Sequence, residues 1–432
     1  MRTYMSGVWN RIKRMAQKAD AKHIVMLSVG VLSGQIISML ISPITTRLYA
    51  PETFGDLSLI VSLATMFVPI ATLQYHISIV NSKDQDEYAL CKLTFLLVIL
   101  TSVIFLIGLI FFLHFKSEKY KSVGNLIYIA VFWFMMSGLV AIVESYNNRH
   151  NEYGLMAKIT LRRSIVSNLV KVVLGLFHSS ILGLLVGQTL GYIAGIKRQS
   201  QSIVRHMGYI LAIDIKRVVE VAKIYKAQPF YALPGIFILQ FSYSTLVLII
   251  NTIFSSREGG FFSLSVTILG IPLSLVSNNV SRVFFKNASA EYDNTGAFRS
   301  TLRSTAILLV AISSLGFTLL WFIAEPAFSL IYGNAWIRSG TFVKILIPMY
   351  AARFVVNGMM HGFVIANKQR LKTMLQSLFI VAILVGYNLA SKNVLDIEEF
   401  LCFINWTYFG LYILLFIALW KQSGLESKGQ KT

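Results

Sequence analysis

The chain has 432 residues, of which 55% are hydrophobic and 13% charged, and its formal net charge is +20. A soluble domain of this size carries roughly twice that charged fraction, and the mean hydropathy of +0.66 also excludes a soluble enzyme or a soluble nucleic-acid binder. Apolar runs of about 20 residues recur along the whole length, each long enough to cross a hydrocarbon core of roughly 30 Å, whereas the short alternating segments of a β-barrel are missing.

The N-terminal tail, 1–23, is basic and of helical period. Val8, Trp9, Ile12 and Met15 fall on one face, with Arg11, Lys13, Arg14 and Lys18 on the other. That pattern predicts a helix lying on an anionic inner leaflet. No signal peptide is expected, because the following run is too long for a signal core. Twelve spans follow, at 24–46, 56–80, 90–113, 124–146, 158–177, 180–196, 230–254, 261–284, 302–324, 341–366, 372–390 and 399–420. The predicted architecture is an all-α polytopic membrane protein of about twelve transmembrane helices, in two pseudo-symmetric six-helix lobes around a central cavity. The lobes run over 24–196 and 230–420, joined by a cytoplasmic linker at 197–229 and followed by a tail at 421–432. The tails and the even-numbered loops hold most of the 39 Lys and Arg. This places both termini in the cytoplasm; the loop at 114–123, with Lys116, Lys119 and Lys121, dissents. The net charge is then membrane topology, and no nucleic-acid partner is expected.

The connector from span 1 to span 2 reads TTRLYAPETFGDL, with Arg47 where the chain leaves the bilayer and Pro51 and Glu52 suited to the next helix's first turn. Arg47 is expected at the rim of an outer gate, facing the cavity or the headgroups. Spans 2 and 8 each carry a Gly, then Ser-Leu, then a mid-span Pro (Pro69 and Pro272). Interrupted helices at matching places in two halves mark alternating-access transporters. Cys91 and Cys402 lie far apart and imply neither a disulfide framework nor a metal set; no cofactor is expected.

Several spans carry polar stripes that lipid alone cannot satisfy. Span 1 has Gln35, Ser38, Ser42 and Thr45; span 7 has Gln240 and Ser244; span 8 has Ser274, Asn278 and Arg282; span 10 has Arg353, Asn357 and His361. Helix packing accounts for Ser and Thr, but a mid-bilayer cation costs about 2.5–3.5 kcal/mol. Arg353 and Lys171 sit near span centres, with Arg162 and Arg163 at the inner half of span 5. Glu144 is the one clear intramembrane acid and the candidate for coupling to a proton or sodium ion. A surplus of cations over acids predicts an anionic ligand, held by Arg353, Lys171, Arg47, Arg282 and Arg163. Asn278, Asn357, His361, Gln35, Ser42 and Gln240 complete the polar lining.

The stretches TTRLYAPETFGDLSL, PIATLQYHISIV and SKDQDEYAL resemble the N-terminal signature of the bacterial polysaccharide transporter family, the O-antigen flippases. KIYKAQPFYALPG, GGFFSLSVTILGIPLSLVSNNVSRVFFKNASAEY, YGNAWIRSGTFVKILIPMYAARFVV and ANKQRLKTMLQS follow in the same order. The resemblance implies a fold like that of the multidrug/oligosaccharidyl-lipid/polysaccharide exporters, MATE-like, in a bacterial inner membrane. It also implies export of an isoprenoid-diphosphate-linked oligosaccharide alongside a polysaccharide polymerase. One position departs: where the family pattern leads one to expect an arginine, five residues before the span-8 proline, this chain has Thr267. Two readings compete. A drug or organic-cation antiporter of the same fold wants cavity carboxylates, which are scarce here. A membrane polymerase or glycosyltransferase wants a long outer loop, and the acids Asp396, Glu398 and Glu399 read instead as a helix's first turn.

Overall fold

A computed structural model gives the fold. It describes Gly30, residues 32–116 and residues 123–424, without the side chains of Phe115, Lys116 and Asn278. The expected amphipathic tail at 1–23 and most of the tail at 421–432 lie outside the described residues.

Every regular element among the described residues is helical. The first half comprises α1 (32–48), α2 (Pro51–Ala71), α3 (Tyr75–Asn81), α4 (Glu87–Lys116), α5 (Ile129–Arg149), α6 (Tyr153–Phe177) and α7 (Ile181–Ile193). Short helices α8 (Ile196–Gln199), α9 (Gln201–Arg205), α10 (Met207–Ala212) and α11 (Ile215–Ile224) form the connector. The second half comprises α12 (Leu233–Ile249), α13 (Ser256–Pro272), α14 (Asn278–Thr295), α15 (Arg299–Tyr332), α16 (Ile337–Asn357), α17 (Gly362–Ile365), α18 (Gln369–Ser391) and α19 (Ile397–Ser423). Nine helices among the described residues are long and apolar enough to cross a membrane. The other three expected spans fall on α1, on α6, which carries Lys158, Arg162, Arg163 and Lys171, and on α7, whose 13 residues span only about 20 Å. These three are the helices that build the cavity described below.

Local chemistry starts the helices. Pro51 opens α2 with Glu52 in its first turn, and the Ser255 hydroxyl accepts from the Glu258 amide at the start of α13. Asp396 and Glu399 form a reciprocal capping box on α19, so those acids satisfy orphan backbone donors. Helix breaks fall after the two matched prolines. Beyond Pro69, Leu73 and Gln74 take positive φ and end α2. Beyond Pro272, Leu273–Ser277 forms a π-helical turn before α14.

The halves meet along α2 and α13, and the meeting is reciprocal. A Cβ on Gly55 would overlap the Ser256 carbonyl, and one on Gly260 would overlap the Pro51 carbonyl. Each glycine therefore seats the other half's helix start against bare backbone, the close approach that small residues allow between membrane helices. Ser256 adds a hydrogen bond to Asp56 at 2.7 Å, and Arg257 pairs with Glu52 at 3.3 Å. Trp336 Nε1 donates to the Thr46 carbonyl at 2.8 Å. This end of the molecule, the Arg47 end, is closed. At the opposite, connector end, α8–α11 pack on the first half. Lys92 Nζ donates to the Leu211 and Ile213 carbonyls, and Arg217 pairs with the buried Asp86.

Candidate functional site

A cavity of about 760 Å³ lies between α1, α6 and α7 of the first half and α13 of the second. Its chemistry follows from helical period. On α1, Gln35, Ser38, Ser42 and Thr45 share one face and line it. On α6, Arg163, Ser164, Ser167, Asn168 and Lys171 recur at steps of one to four and line the facing wall. Arg163 and Lys171 are eight residues apart, about 12 Å along the axis, so two cations stand at two depths of one chamber. The walls are tied by polar bonds: Asn168 Nδ2 donates to Ser38 Oγ at 3.0 Å, and Ser274 Oγ donates to Gln35 Oε1 at 2.8 Å.

The room for Lys171 comes from α7. Gly183, Gly187 and Gly191, spaced four residues apart, form a stripe on the face packed against α6; a Cβ at Gly187 would stand 2.5 Å from Lys171 Cγ, and one at Gly191 2.7 Å from Ser167 Cβ. Lys171 Nζ donates to Gln188 Oε1 at 2.8 Å, and the buried Tyr49 hydroxyl donates to the Lys171 carbonyl at 2.7 Å. Arg163 is held by Glu144 Oε1 at 3.3 Å and Gln199 Oε1 at 2.6 Å, while its Nε is buried without a partner. Among the described residues, none of the side chains lining the cavity is a carboxylate. Amides, hydroxyls and two cations make a chamber that can receive phosphate and sugar hydroxyls.

The structure brings together Arg163, Lys171, Gln35 and Ser42, with Thr267 on the opposing wall. It sets Glu144 behind Arg163, as that guanidinium's partner. It does not bring Arg353 to this cavity. That guanidinium lies 4.1 Å from the ring centre of Tyr243 and 5.6 Å from that of Tyr350, with the Tyr243 hydroxyl bonded to that of Tyr412 at 2.7 Å. Arg47 turns to α15 and donates to the Leu330 carbonyl at 3.1 Å, capping a helix C-terminus, where a cation is favoured. Arg282 is exposed on α14. Gln240 donates to Ser244, which reaches Thr65 of α2 at 3.4 Å. His361 bonds Ser281 at 2.8 Å, and Asn357 ends α16, half-buried. The side chain of Asn278 lies outside the described residues. Ser164, Asn168 and Gln188 also line the cavity and are not among the residues expected from the sequence. Ser164, Asn168 and Lys171 step by four and three, a stripe legible on α6; nothing in the local pattern of α7 singled out Gln188.

Two halves of membrane helices meeting through broken inner helices, around a polar chamber, define the fold of a MATE-type transporter. The chain is similar in structure to an inward-facing multidrug resistance MATE family transporter of the MOP superfamily, at 13% identity and a TM-score of 0.58, over 93% of this chain and 100% of that one. It is also similar to a mutant of the Vibrio cholerae MATE transporter VcmN, at 12% identity and 0.54, over 93% and 95%. A proline-to-alanine MATE mutant matches at 12% identity and 0.51, over 94% and 97%. No curated protein matches the sequence. The model of the polysaccharide biosynthesis protein family matches residues 44–340, and the chain belongs to that family. Fold and family agree with the expectation of a multi-pass, all-helical membrane protein of MATE-like fold linked to polysaccharide biosynthesis.

Proposed function

We propose that the protein flips an isoprenoid-diphosphate-linked oligosaccharide from the inner to the outer leaflet of a bacterial inner membrane, for surface polysaccharide such as O-antigen or capsule. One observation carries this reading: a cavity open to two cations, Arg163 and Lys171, and lined by no carboxylate among the described residues. A pump for organic cations wants the reverse charge, so the antiporter reading is disfavoured.

The residues suggest how the headgroup moves. The Lys and Arg bias orients the connector end to the cytoplasm, so the Arg47 end faces out and is closed. The diphosphate enters beside Arg163, whose orphan Nε and forked Nη groups offer several donors to phosphate oxygens. Lys171, about two helical turns deeper, receives it next. Gln35, Asn168 and Gln188 take sugar hydroxyls, and the isoprenoid tail stays in lipid. Parting of α2 from α13 at Gly55 and Gly260 then opens the outer side. The lobes moving against each other are 24–196 and 230–420. A diphosphate of about two charges gains roughly 4–5 kcal/mol on leaving a cell 100 mV negative inside. As the phosphate replaces Glu144 on Arg163, that carboxyl is free to take a proton or sodium ion, which would couple the cycle to an ion gradient. A polysaccharide polymerase is the natural downstream partner.

The test is complementation of a strain lacking the gene. Lys171→Ala combined with Arg163→Ala is expected to abolish surface polysaccharide while the protein still reaches the membrane. Wild-type polymer from that double variant would falsify the cationic-cavity reading.

A further inference from the structure

A second groove, of about 420 Å³, opens on the side of the molecule at the connector end and shares no lining residue with the cavity. One wall is the π-helical turn Gln228–Ala232 and the first turns of α12; the other is the start of α18. Both walls are the opening turns of membrane-crossing helices that start at the same end, which sets the groove at headgroup depth. Its side chains divide by chemistry. Phe230, Tyr231 and Met374 are 70%, 56% and 65% exposed, and with Ile238 they form an apolar trough running toward the bilayer centre. At the mouth stands Arg370, its guanidinium 5.8 Å from the Tyr231 ring centre. Among the described residues no acid lines the groove, and the exposed Lys226 and Lys368 flank its two walls in sequence.

A soluble protein would not leave such aromatic and thioether surface bare. In a membrane it faces lipid, and ordinary lipid contact needs neither a trough nor a cation. Trough plus guanidinium matches one occupant: a phospholipid with a negatively charged headgroup, its phosphate on Arg370 and one acyl chain laid between Phe230, Ile238 and Met374. We infer that this groove is a binding site for an anionic phospholipid of the connector-side leaflet. The site sits where the connector enters the second half, so an occupying lipid braces the joint about which the two halves move. This inference does not depend on what the cavity carries.

The test uses the full-length protein in nanodiscs of equal parts phosphatidylglycerol and phosphatidylcholine with matched chains, released and weighed by native mass spectrometry. The wild type is expected to retain one phosphatidylglycerol in preference to phosphatidylcholine. Arg370→Ala should weaken that retention about fivefold, the loss of one basic group near an anionic surface. Met374→Trp, which fills the trough from an exposed position without altering charge, should displace the lipid even if Arg370→Ala does not fold. Unchanged phosphatidylglycerol retention in both variants overturns the inference. So does a loss that falls equally on phosphatidylcholine, or a groove that prefers an added isoprenoid diphosphate to phosphatidylglycerol.

Discussion

The two halves of the molecule share a plan and treat a buried cation in opposite ways. In the first half, Lys171 reaches across a glycine stripe into a polar-lined chamber and finds an amide, Gln188. In the second, Arg353 lies between the rings of Tyr243 and Tyr350, within a continuous apolar core that runs from Leu246 to Leu419. The first half has smaller, separate cores, because the polar faces of α1, α6 and α7 are turned to the cavity. A cation in the bilayer thus has two ways to avoid its cost: meet a wet polar wall, or rest on aromatic faces. The first leaves the cation beside open space; the second covers it with rings.

That contrast can be broken most sharply at Lys171. Lys171→Glu should reduce surface polysaccharide to the background of the deletion strain, whereas Lys171→Arg should retain part of it; equal activity of the two would mean that cavity charge is irrelevant. Next in size is the reciprocal glycine seat. Gly55→Val or Gly260→Val forces a side chain into a facing carbonyl, an overpacking cost of about 1–3 kcal/mol, and should hold the Arg47 end apart. Spin labels on α2 and α13 should report a longer distance at that end, and an unchanged distance would show that the seat is not the closing contact. Arg353→Met keeps the volume but removes the cation–π contacts. It should lower thermal stability in detergent by about 1–2 kcal/mol and leave anionic-ligand binding in the cavity intact. A larger loss of binding than of stability would place Arg353 in the transport path after all. Smallest is Arg47→Ala, which removes a helix-terminus cation worth about 0.3–1 kcal/mol. It should shift unfolding slightly and leave substrate affinity unchanged, as read by titration of the purified protein.

Much of this was readable before the fold. Hydropathy located the spans, and the Gly, Ser-Leu, Pro echo marked α2 and α13 as matched inner helices. Gln35 and Ser42 are expected on the cavity; the structure sets them in its lining, with Ser38 and Thr45 of the same stripe beside them. Span ends were less legible. The expected span at 302–324 became the 34-residue α15, which runs on through Pro326 to Tyr332, because a membrane helix continues past the bilayer when its end packs on a neighbour. The partner of Arg47 is a carbonyl 283 residues away, which no local pattern announces.

From the sequence alone came the number and period of apolar runs, the excess of intramembrane cations over acids, and the polar face of each helix. These are local properties, set by composition and by the 3.6-residue turn. Only the tertiary structure decided which polar faces meet. It set α6 against α1 and α7, so that Arg163 and Lys171 share a chamber, and it set α16 against α19 and turned Arg353 onto Tyr243 of α12 and Tyr350 of its own helix. A cation's surroundings are supplied by other helices, and helix period carries no information about which neighbour will be there.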